Sequence, residues 1–552
     1  MNSNMNGKKV TELGVSIEDF IADKPKTKVK CYNSKLKIFR EFALATLSAL
    51  ADKKSKQVFT SNGSECQTQS QVYALDALAC TGIAGIQWKV HHTSRVHVTM
   101  AEHDDTKKIV DNCQANSLSC TQLKLNPLRV SGDLLGQQDA KEVHICQADA
   151  KTAMVMEAFN FIYLSPVKNC ASYFEPAMQS VTSDGVLCIV VPDVSLFARS
   201  PHVVQRFYAA DIVKTEYLKE LTARIILASL ARAAARYMKG ISPQYVLSHE
   251  DYLLICVRVH RGHTAADTSI NEVEKLLHCR LCEERIFMPN QLAPYDDPYS
   301  LLTCSCKKNN PGKTAVILGP VWKGSLNDPN LLNHIHHQGK QLSLSSKFFE
   351  LVSLLVKESL CVKSERNVVL SSLPAEEKNL KDCRHLSPEN TTGSCLTASN
   401  TTEDKIELTS SASDDPNDEP VISERNENTH QETPLLCEDT KKATIENMHT
   451  KQDQTDFKST MQKRKAEDTQ QDIGDSDIQT KRQKKDTEVD TTMAANVPFY
   501  YNITKFRKTN LPKLDKLVTI LHSCSHRASR THFDSCAIRT SASVEEFLHI
   551  FD

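Results

Sequence analysis

Residues 72–88 read VYALDALACTGIAGIQW. An apolar run, Val72–Asp76, ends on an acid, and two glycines, Gly82 and Gly85, lead into an apolar segment of helical length. A strand that turns through glycines into a helix lets backbone N–H groups come close to a ligand. The same rhythm repeats outward from this stretch. Val96–Glu102, 143–146, Phe159–Leu164 and 185–191 read as buried strands separated by helix-length segments, the pattern of a parallel α/β sheet. Further on, YVLSHEDYLLICVRVHR carries strand-like runs at 245–247 and 253–259, close enough to pair antiparallel.

A mostly parallel sheet closed by an antiparallel hairpin is the pattern of a Rossmann-like methyltransferase domain. Ligands of such sheets sit at the carboxyl ends of the strands, near the point where strand order reverses. The residues at those ends are therefore the candidate cofactor ligands: Asp76 and Gly82 after the first strand, Glu102 at the end of the second, and Asp149 with Ala150 after the third. A carboxylate at Glu102 suits ribose hydroxyls, and the pair at 149–150 suits an adenine edge.

The fourth strand runs into a different kind of end. Residues 159–174 read FNFIYLSPVKNCASYF, so Phe159–Leu164 leads straight to Ser165-Pro166-Val167-Lys168. Ser165 can accept a hydrogen bond but is no base near neutral pH, and the nearest acid beyond it is Asp193, at the end of the next strand. Ser165 and Asp193 are the two candidate catalytic residues.

The 552 residues are 40% hydrophobic and 24% charged, which fits two or three soluble domains. Residues 1–30 are polar and charged, unlike a secretory leader, and no apolar run approaches the roughly 18 residues of a membrane span. Nineteen cysteines then read as reduced thiols and metal ligands, not a disulfide framework. HCRLCEERIF and LLTCSCKK place Cys279 with Cys282 and Cys304 with Cys306; two close pairs can enclose a tetrahedral, structural zinc, with redox pairing or plain burial as the alternatives.

Charge is unevenly divided. Residues 361–495 carry about −10, so with a total of −1 the remainder carries about −1 − (−10) = +9. The acidic segment is rich in Ser, Thr, Asn, Asp and Glu, a composition that cannot bury enough apolar surface to offset chain ordering. It reads as a disordered linker. Inside it, Lys463-Arg464-Lys465 and Lys481-Arg482-Gln483-Lys484-Lys485 resemble a bipartite signal for a nuclear import receptor, which implies a nuclear location, with the nucleolus an open alternative within it. The basic remainder suits a polyanion such as nucleic acid. On a helix over 215–239, Leu218, Leu221, Ile225 and Ala228 share the sheet-facing side, while Arg232, Arg236 and Lys239 line the other. With Arg530, His532 and Arg539 near the end of the sequence, Arg232 and Arg236 are the candidate RNA contacts.

Six segments in order, CYNSKLKIFRE, LDALACTGIAGIQW, TEYLKELTARIILASLARAAARYMKG, GPVWKGSL, VPFYYN and SRTHFD, resemble the successive signatures of the tRNA guanine-N2 dimethyltransferases, the eukaryotic tRNA methyltransferase 1-like branch above all. The resemblance spans about 31–552 apart from the acidic segment. It implies S-adenosyl-L-methionine as cofactor, tRNA as substrate, and N2-methyl- or N2,N2-dimethylguanosine as product, formed at the hinge between the D arm and the anticodon arm. It gives Arg40 the cofactor carboxylate, Glu102 the ribose and Asp149-Ala150 the adenine, and it agrees with zinc at the cysteines. Two departures stand out. Ala84 replaces an arginine common in the glycine turn, and Ser165-Pro166-Val167-Lys168 replaces Asp-Pro-Phe/Tyr-Gly. Three readings stay open: an active tRNA methyltransferase, a catalytically impaired or silent tRNA-binding paralogue, and a nuclear scaffold that uses the linker.

The expected layout is a flexible 1–30, a Rossmann-like domain over 31–265, a smaller α+β zinc-bearing domain over 266–360 and 496–552, and the disordered insert 361–495 between its two parts.

Overall fold

The structure is a computed structural model, and it describes residues 8–19, 21–24, 27–61, 71–123, 140–192, 194, 196–288, 298–302, 304–310, 312, 314–361, 499–505, 512–542 and 544–549. The insert with its two basic clusters, and Asp193, lie outside the described residues. The chain divides into two units, Met1–Val369 with Thr491–Asp552, and Leu370–Asp490.

Strands precede the expected domain. β1 (Lys8–Glu12) and β2 (Val15–Asp19) form an antiparallel hairpin, followed by a second pair, β3 (Ile21–Lys24) and β4 (Thr27–Lys30). The first hairpin turns at Leu13 and Gly14, both with positive φ. Its register is fixed by side chains of the body. Asn112 accepts from Glu18 N at 2.8 Å, and Asn116 accepts from Ser16 N at 3.0 Å while donating to Ser16 O at 2.7 Å. Residues 8–19 are thus a docked hairpin, not the flexible segment that polar composition suggests; backbone groups bound by two asparagines leave little to fray.

The sheet follows the rhythm of the sequence. α1 (Lys37–Ser61) leads to β5 (Val72–Asp76), α2 (Ile83–His91), β6 (Val96–Glu102), α3 (Lys107–Ala115), β7 (Ser119–Leu123), β8 (Glu142–Gln147), α4 (Ala150–Met156), β9 (Phe159–Leu164), α5 (Phe174–Ser180) and β10 (Val181–Val191). α6 (Leu196–Arg199), α7 (Pro201–Tyr208) and α8 (Leu218–Ala235) then carry the chain to the hairpin β11 (Lys239–His249) and β12 (Tyr252–Arg261). Strand order is β11-β12-β10-β9-β5-β6-β8-β7, with β5 to β10 mutually parallel and β11 and β12 antiparallel. This is the Rossmann-like methyltransferase arrangement, extended by β7 at one edge. Order reverses between β5 and β9.

Both faces are covered, as a parallel sheet requires. One core gathers Leu75, Ile162 and Ile189 with Met178, Leu221 and Ile225 from α5 and α8; the other gathers Ala74, Phe161 and Val190 with Phe42, Trp88 and Phe348. α8 is buried nearly all round, including Glu220 and Arg224. The two-faced helix expected at 215–239 is therefore a core helix, because later parts of the chain cover its outer side.

Those later parts begin with α9 (His263–Asn271) and a three-stranded sheet of β13 (Val273–Cys279), β14 (Arg285–Phe287) and β15 (Ala315–Trp322), with the short α10 (Cys306–Asn309) between the last two. α11 (Pro329–Gln341) and α12 (Ser346–Cys361) pack on α1, and Phe42 and Phe348 meet at 4.7 Å between ring centroids. After the insert come β16 (Tyr501–Asn502), α13 (Leu514–Ser523), β17 (Ala528–Arg530), β18 (Ala537–Thr540) and α14 (Val544–His549). The segments expected as a separate second domain share one unit with the large sheet.

Candidate active site at the carboxyl edge of the sheet

The loops that leave β5, β6 and β8 are tied to one another. Ala79 N donates to Ala101 O at 3.0 Å, and Ala148 N donates to Glu102 O at 3.0 Å. Glu102, half-buried at the end of β6, accepts Cys80 N on one carboxylate oxygen at 2.9 Å and Asp104 N on the other at 3.2 Å. Each of its oxygens keeps a second lone pair for a ligand. Asp149 is exposed, caps α4 by accepting Lys151 N at 2.8 Å, and stands next to buried Ala150. Adjacent strand ends thus bring Asp76, Gly82, Glu102, Asp149 and Ala150 to one edge.

The glycine turn has a steric basis. Gly82 has φ +76°, the left-handed region that side chains avoid. A Cβ on Gly85 would meet Met100 Sδ at 2.6 Å, so a bare residue there lets α2 lie against β6. Gly85 N also donates to Asp76 at 3.2 Å. Asp76 is fully buried; burial and the neighbouring Glu102 outweigh that hydrogen bond and Arg40, and push its carboxyl up to about 7.

Arg40 is placed differently from what the resemblance implies. Its Nε and Nη2 donate to Glu12 at 2.8 and 2.7 Å, and Nη1 donates to Asn33 O at 3.3 Å. Both partners are buried, and Gln87 and Tyr32 also hydrogen-bond Glu12. Burial favours the neutral acid at Glu12, but Arg40 and these donors outweigh it and hold the carboxyl below its usual range. The Nε–Nη2 edge, which can grip a carboxylate bidentately, is therefore taken by the hairpin, and the other edge faces Asn33 O at 3.3 Å. Glu12 carried no signal in the sequence, since it lies in a polar stretch read as flexible.

Ser165 stands half-buried just beyond β9, beside the reversal of strand order, with Val167 67% exposed and Lys168 exposed. Two residues earlier, Tyr163 pairs in register with Asp76 and is buried, yet its Oη has no partner in hydrogen-bond geometry among the described residues. Sequence reasoning missed it because a tyrosine in FNFIYL reads as strand core.

The four cysteines do converge. Cys279 ends β13, Cys282 lies in the following turn, and Cys304 and Cys306 flank the start of α10; their sulfurs all lie within 4.8 Å of one another. A tetrahedron of Zn–S bonds about 2.3 Å long needs sulfurs roughly 4 Å apart, so this donor set fits zinc.

The candidate RNA contacts separate into two groups. Arg232 is half-buried, exposed Arg236 pairs with Glu175, and Arg530 pairs with Asp515 at 2.7 Å on the surface. His532 and Arg539 are not surface contacts as expected: both side chains are buried in an ion network. Arg539 Nη2 donates to Glu220 at 2.8 Å, and His532 Nδ1 donates to Glu358 at 2.6 Å. Lys239 is buried too, its ammonium donating to the carbonyls of Met178, Gln179 and Val181. Basic side chains near a motif read as phosphate contacts only while their acidic partners, far off in sequence, are unseen.

A family model described as N2,N2-dimethylguanosine tRNA methyltransferase matches residues 12–367. The chain belongs to this family. Curated relatives named tRNA (guanine(27)-N(2))-dimethyltransferase are 31% identical in Rattus norvegicus and 30% identical in Homo sapiens, over 94% of this chain and 60% of each relative. This member of the N2,N2-dimethylguanosine tRNA methyltransferase family thus spans about three-fifths of the length of those relatives. A relative from Methanospirillum hungatei, named tRNA (guanine(26)-N(2))-dimethyltransferase, is 29% identical over 48% of this chain and 62% of its own length. The solved structure of Trm1 from Pyrococcus horikoshii in complex with S-adenosyl-L-methionine shares the fold, with a TM-score of 0.57 at 16% identity over 98% of this chain and 99% of that one.

Proposed function

We propose that this family member is an S-adenosylmethionine-dependent tRNA methyltransferase that forms N2-methyl- and N2,N2-dimethylguanosine at a hinge guanine. The observation that carries the reading is the convergence of Asp76, Glu102 and Asp149 where strand order reverses, in the family's own fold. Position 27 is favoured over 26, because the relatives named for guanine 27 match along 94% of the chain and the guanine-26 relative along 48%.

The donor set fits the cofactor: a carboxylate with spare lone pairs at Glu102 for a diol, Asp149 for an adenine edge, and an unpaired buried hydroxyl at Tyr163. When bound, S-adenosylmethionine supplies an electrophilic methyl group. The chain's task is to hold the guanine amino nitrogen in line with it and to receive a proton. That nitrogen is a weak nucleophile, its lone pair delocalised into the ring, so a carboxylate beside it helps. Ser165 gives a hydrogen-bond acceptor without a base, and Val167 offers the base no ring to stack on. Positioning still contributes rate. This substitution favours a second reading, a tRNA-binding member with weak or no turnover. Asp193 is the other candidate catalytic residue, and loss of methyl transfer in Asp193→Asn would assign the acid to it.

Mass spectrometry of tRNA nucleosides after incubation with the purified chain and labelled cofactor separates the two. New methylguanosine supports the enzyme; tRNA binding without product supports the silent member.

Three further assignments belong to this reading. Zinc at Cys279, Cys282, Cys304 and Cys306 would be structural, and changing Cys279 and Cys304 together to Ser should release about one zinc per chain. tRNA contact falls to Arg232, Arg236 and Arg530, and binding should weaken steeply with salt. The clusters at 463–465 and 481–485 would engage an import receptor and place the protein in the nucleus; deleting 376–492 should then move a tagged chain to the cytoplasm.

A further inference from the structure

Asp76 and Tyr163 are register partners in the parallel pair of β5 and β9, and sheet order reverses between those two strands. A ligand crevice opens at such a point. Tyr163 is 3% exposed, its ring edge-on to Trp88 at 6.2 Å between centroids. Burial holds the phenol well above its usual range, so the hydroxyl keeps its proton. Arg40 and Asp76 lie within its electrostatic reach, and Ser165 is near enough to act on the phenol oxygen as a donor, yet no group among the described residues stands in hydrogen-bond geometry to Oη to accept its proton. Buried hydroxyls almost always have a partner, and one left without it destabilises the fold.

What could complete this hydroxyl follows from what its neighbours already do. The Nε–Nη2 edge of Arg40 is committed to Glu12, and Ala84 in the glycine turn offers no side-chain donor. A carboxylate arriving at the reversal point therefore meets Tyr163 as an unspent donor, beside an Asp76 carboxyl suited to an ammonium. An α-amino acid carries both groups.

We propose that the Tyr163 hydroxyl donates a hydrogen bond to the carboxylate at the amino-acid end of the cofactor, which makes Tyr163 a cofactor-contact residue. The inference rests on the proposed function, since it takes the bound molecule to be S-adenosylmethionine.

The test is calorimetric titration of the full chain with S-adenosylhomocysteine, which has the amino-acid end, and with 5′-methylthioadenosine, which lacks it. In Tyr163→Phe, affinity for S-adenosylhomocysteine should fall about tenfold or more, as expected for losing a hydrogen bond to a charged group. Affinity for 5′-methylthioadenosine should be unchanged, and the Tm of the ligand-free chain unchanged or higher, because the variant removes an unpaired polar atom. Equal affinity for S-adenosylhomocysteine in both proteins would overturn the inference while leaving the proposed function standing. So would a lower Tm with unchanged affinities, the result expected if a buried water serves the hydroxyl. Failure of the unaltered chain to bind either nucleoside would overturn the proposed function and this inference with it.

Discussion

His532 Nδ1 donates to the Glu358 carboxylate at 2.6 Å across 174 positions of sequence, including the whole of 362–498. Glu358 also accepts the backbone N–H of His532 at 2.7 Å, and Arg539 reaches it at 3.5 Å while pairing with Glu220. Glu220 in turn holds Arg224 at 2.9 Å. The segment after the insert is thus fastened to α12 and α8 by buried charge, and the SRTHFD signature is part of the fastening.

Removing Glu358 takes the acceptor from the His532 ring, the His532 backbone N–H and the Thr531 hydroxyl, all of them within the fold. Glu358→Ala should lower stability by about 3–5 kcal/mol, measured by denaturant unfolding. The pH dependence has a definite sign. His532 and Arg539 outweigh burial and depress the Glu358 carboxyl, so its contribution is present above the unfolded value of about 4.3 and is lost as pH falls through the folded one. The stability gap between the unaltered chain and Glu358→Gln should be wide near pH 7 and should narrow below about pH 4. A gap that does not change with pH would remove the carboxylate charge from the account.

Asp76 titrates in the opposite sense. Its folded carboxyl is raised to about 7, chiefly by burial, against roughly 3.9 unfolded. Stability is then greatest while the acid is protonated in both states, and it declines as pH rises between the two values. Asp76→Asn in the ligand-free chain should gain about 1–3 kcal/mol at pH 8 and nothing near pH 3. Thermal unfolding at both pH values checks this, and a gain at pH 3 as well would point to packing instead of charge.

Gly85 sits where helix and strand touch. A methyl there meets Met100 Sδ and Cγ at 2.6 Å, so Gly85→Ala should destabilise by about 1 kcal/mol with Met100 moving aside, and Gly85→Val by more, up to about 3 kcal/mol. If Met100→Ala rescues Gly85→Ala, the clash is the cause.

At the end of β9 the expected outcome is a gain of function. The triple change Ser165→Asp, Val167→Phe and Lys168→Gly restores the family's Asp-Pro-Phe-Gly, and a general base typically contributes 10²- to 10⁴-fold, roughly. Turnover measured by methyl transfer to tRNA should rise at least tenfold. Robust turnover by the unaltered chain with no gain from the triple change would place the working acid elsewhere.

The sequence by itself determined the parallel sheet, its closing hairpin, the acids at the ends of β5, β6 and β8, and the pairing of Cys279 and Cys282 with Cys304 and Cys306. These are local properties: apolar runs of strand length, glycines where a turn needs them, ligands a few residues apart. Tertiary structure decided what depends on partners distant in the chain. Arg40 reads as a ligand arginine until Glu12 meets it from 28 positions away, and Arg539 reads as a phosphate contact until Glu220 meets it from 319 positions away. The sequence shows a charged side chain's sign but not its partner. A buried cation is stable only where an acid or a set of carbonyls has been folded against it, and that pairing exists only once the chain has closed on itself.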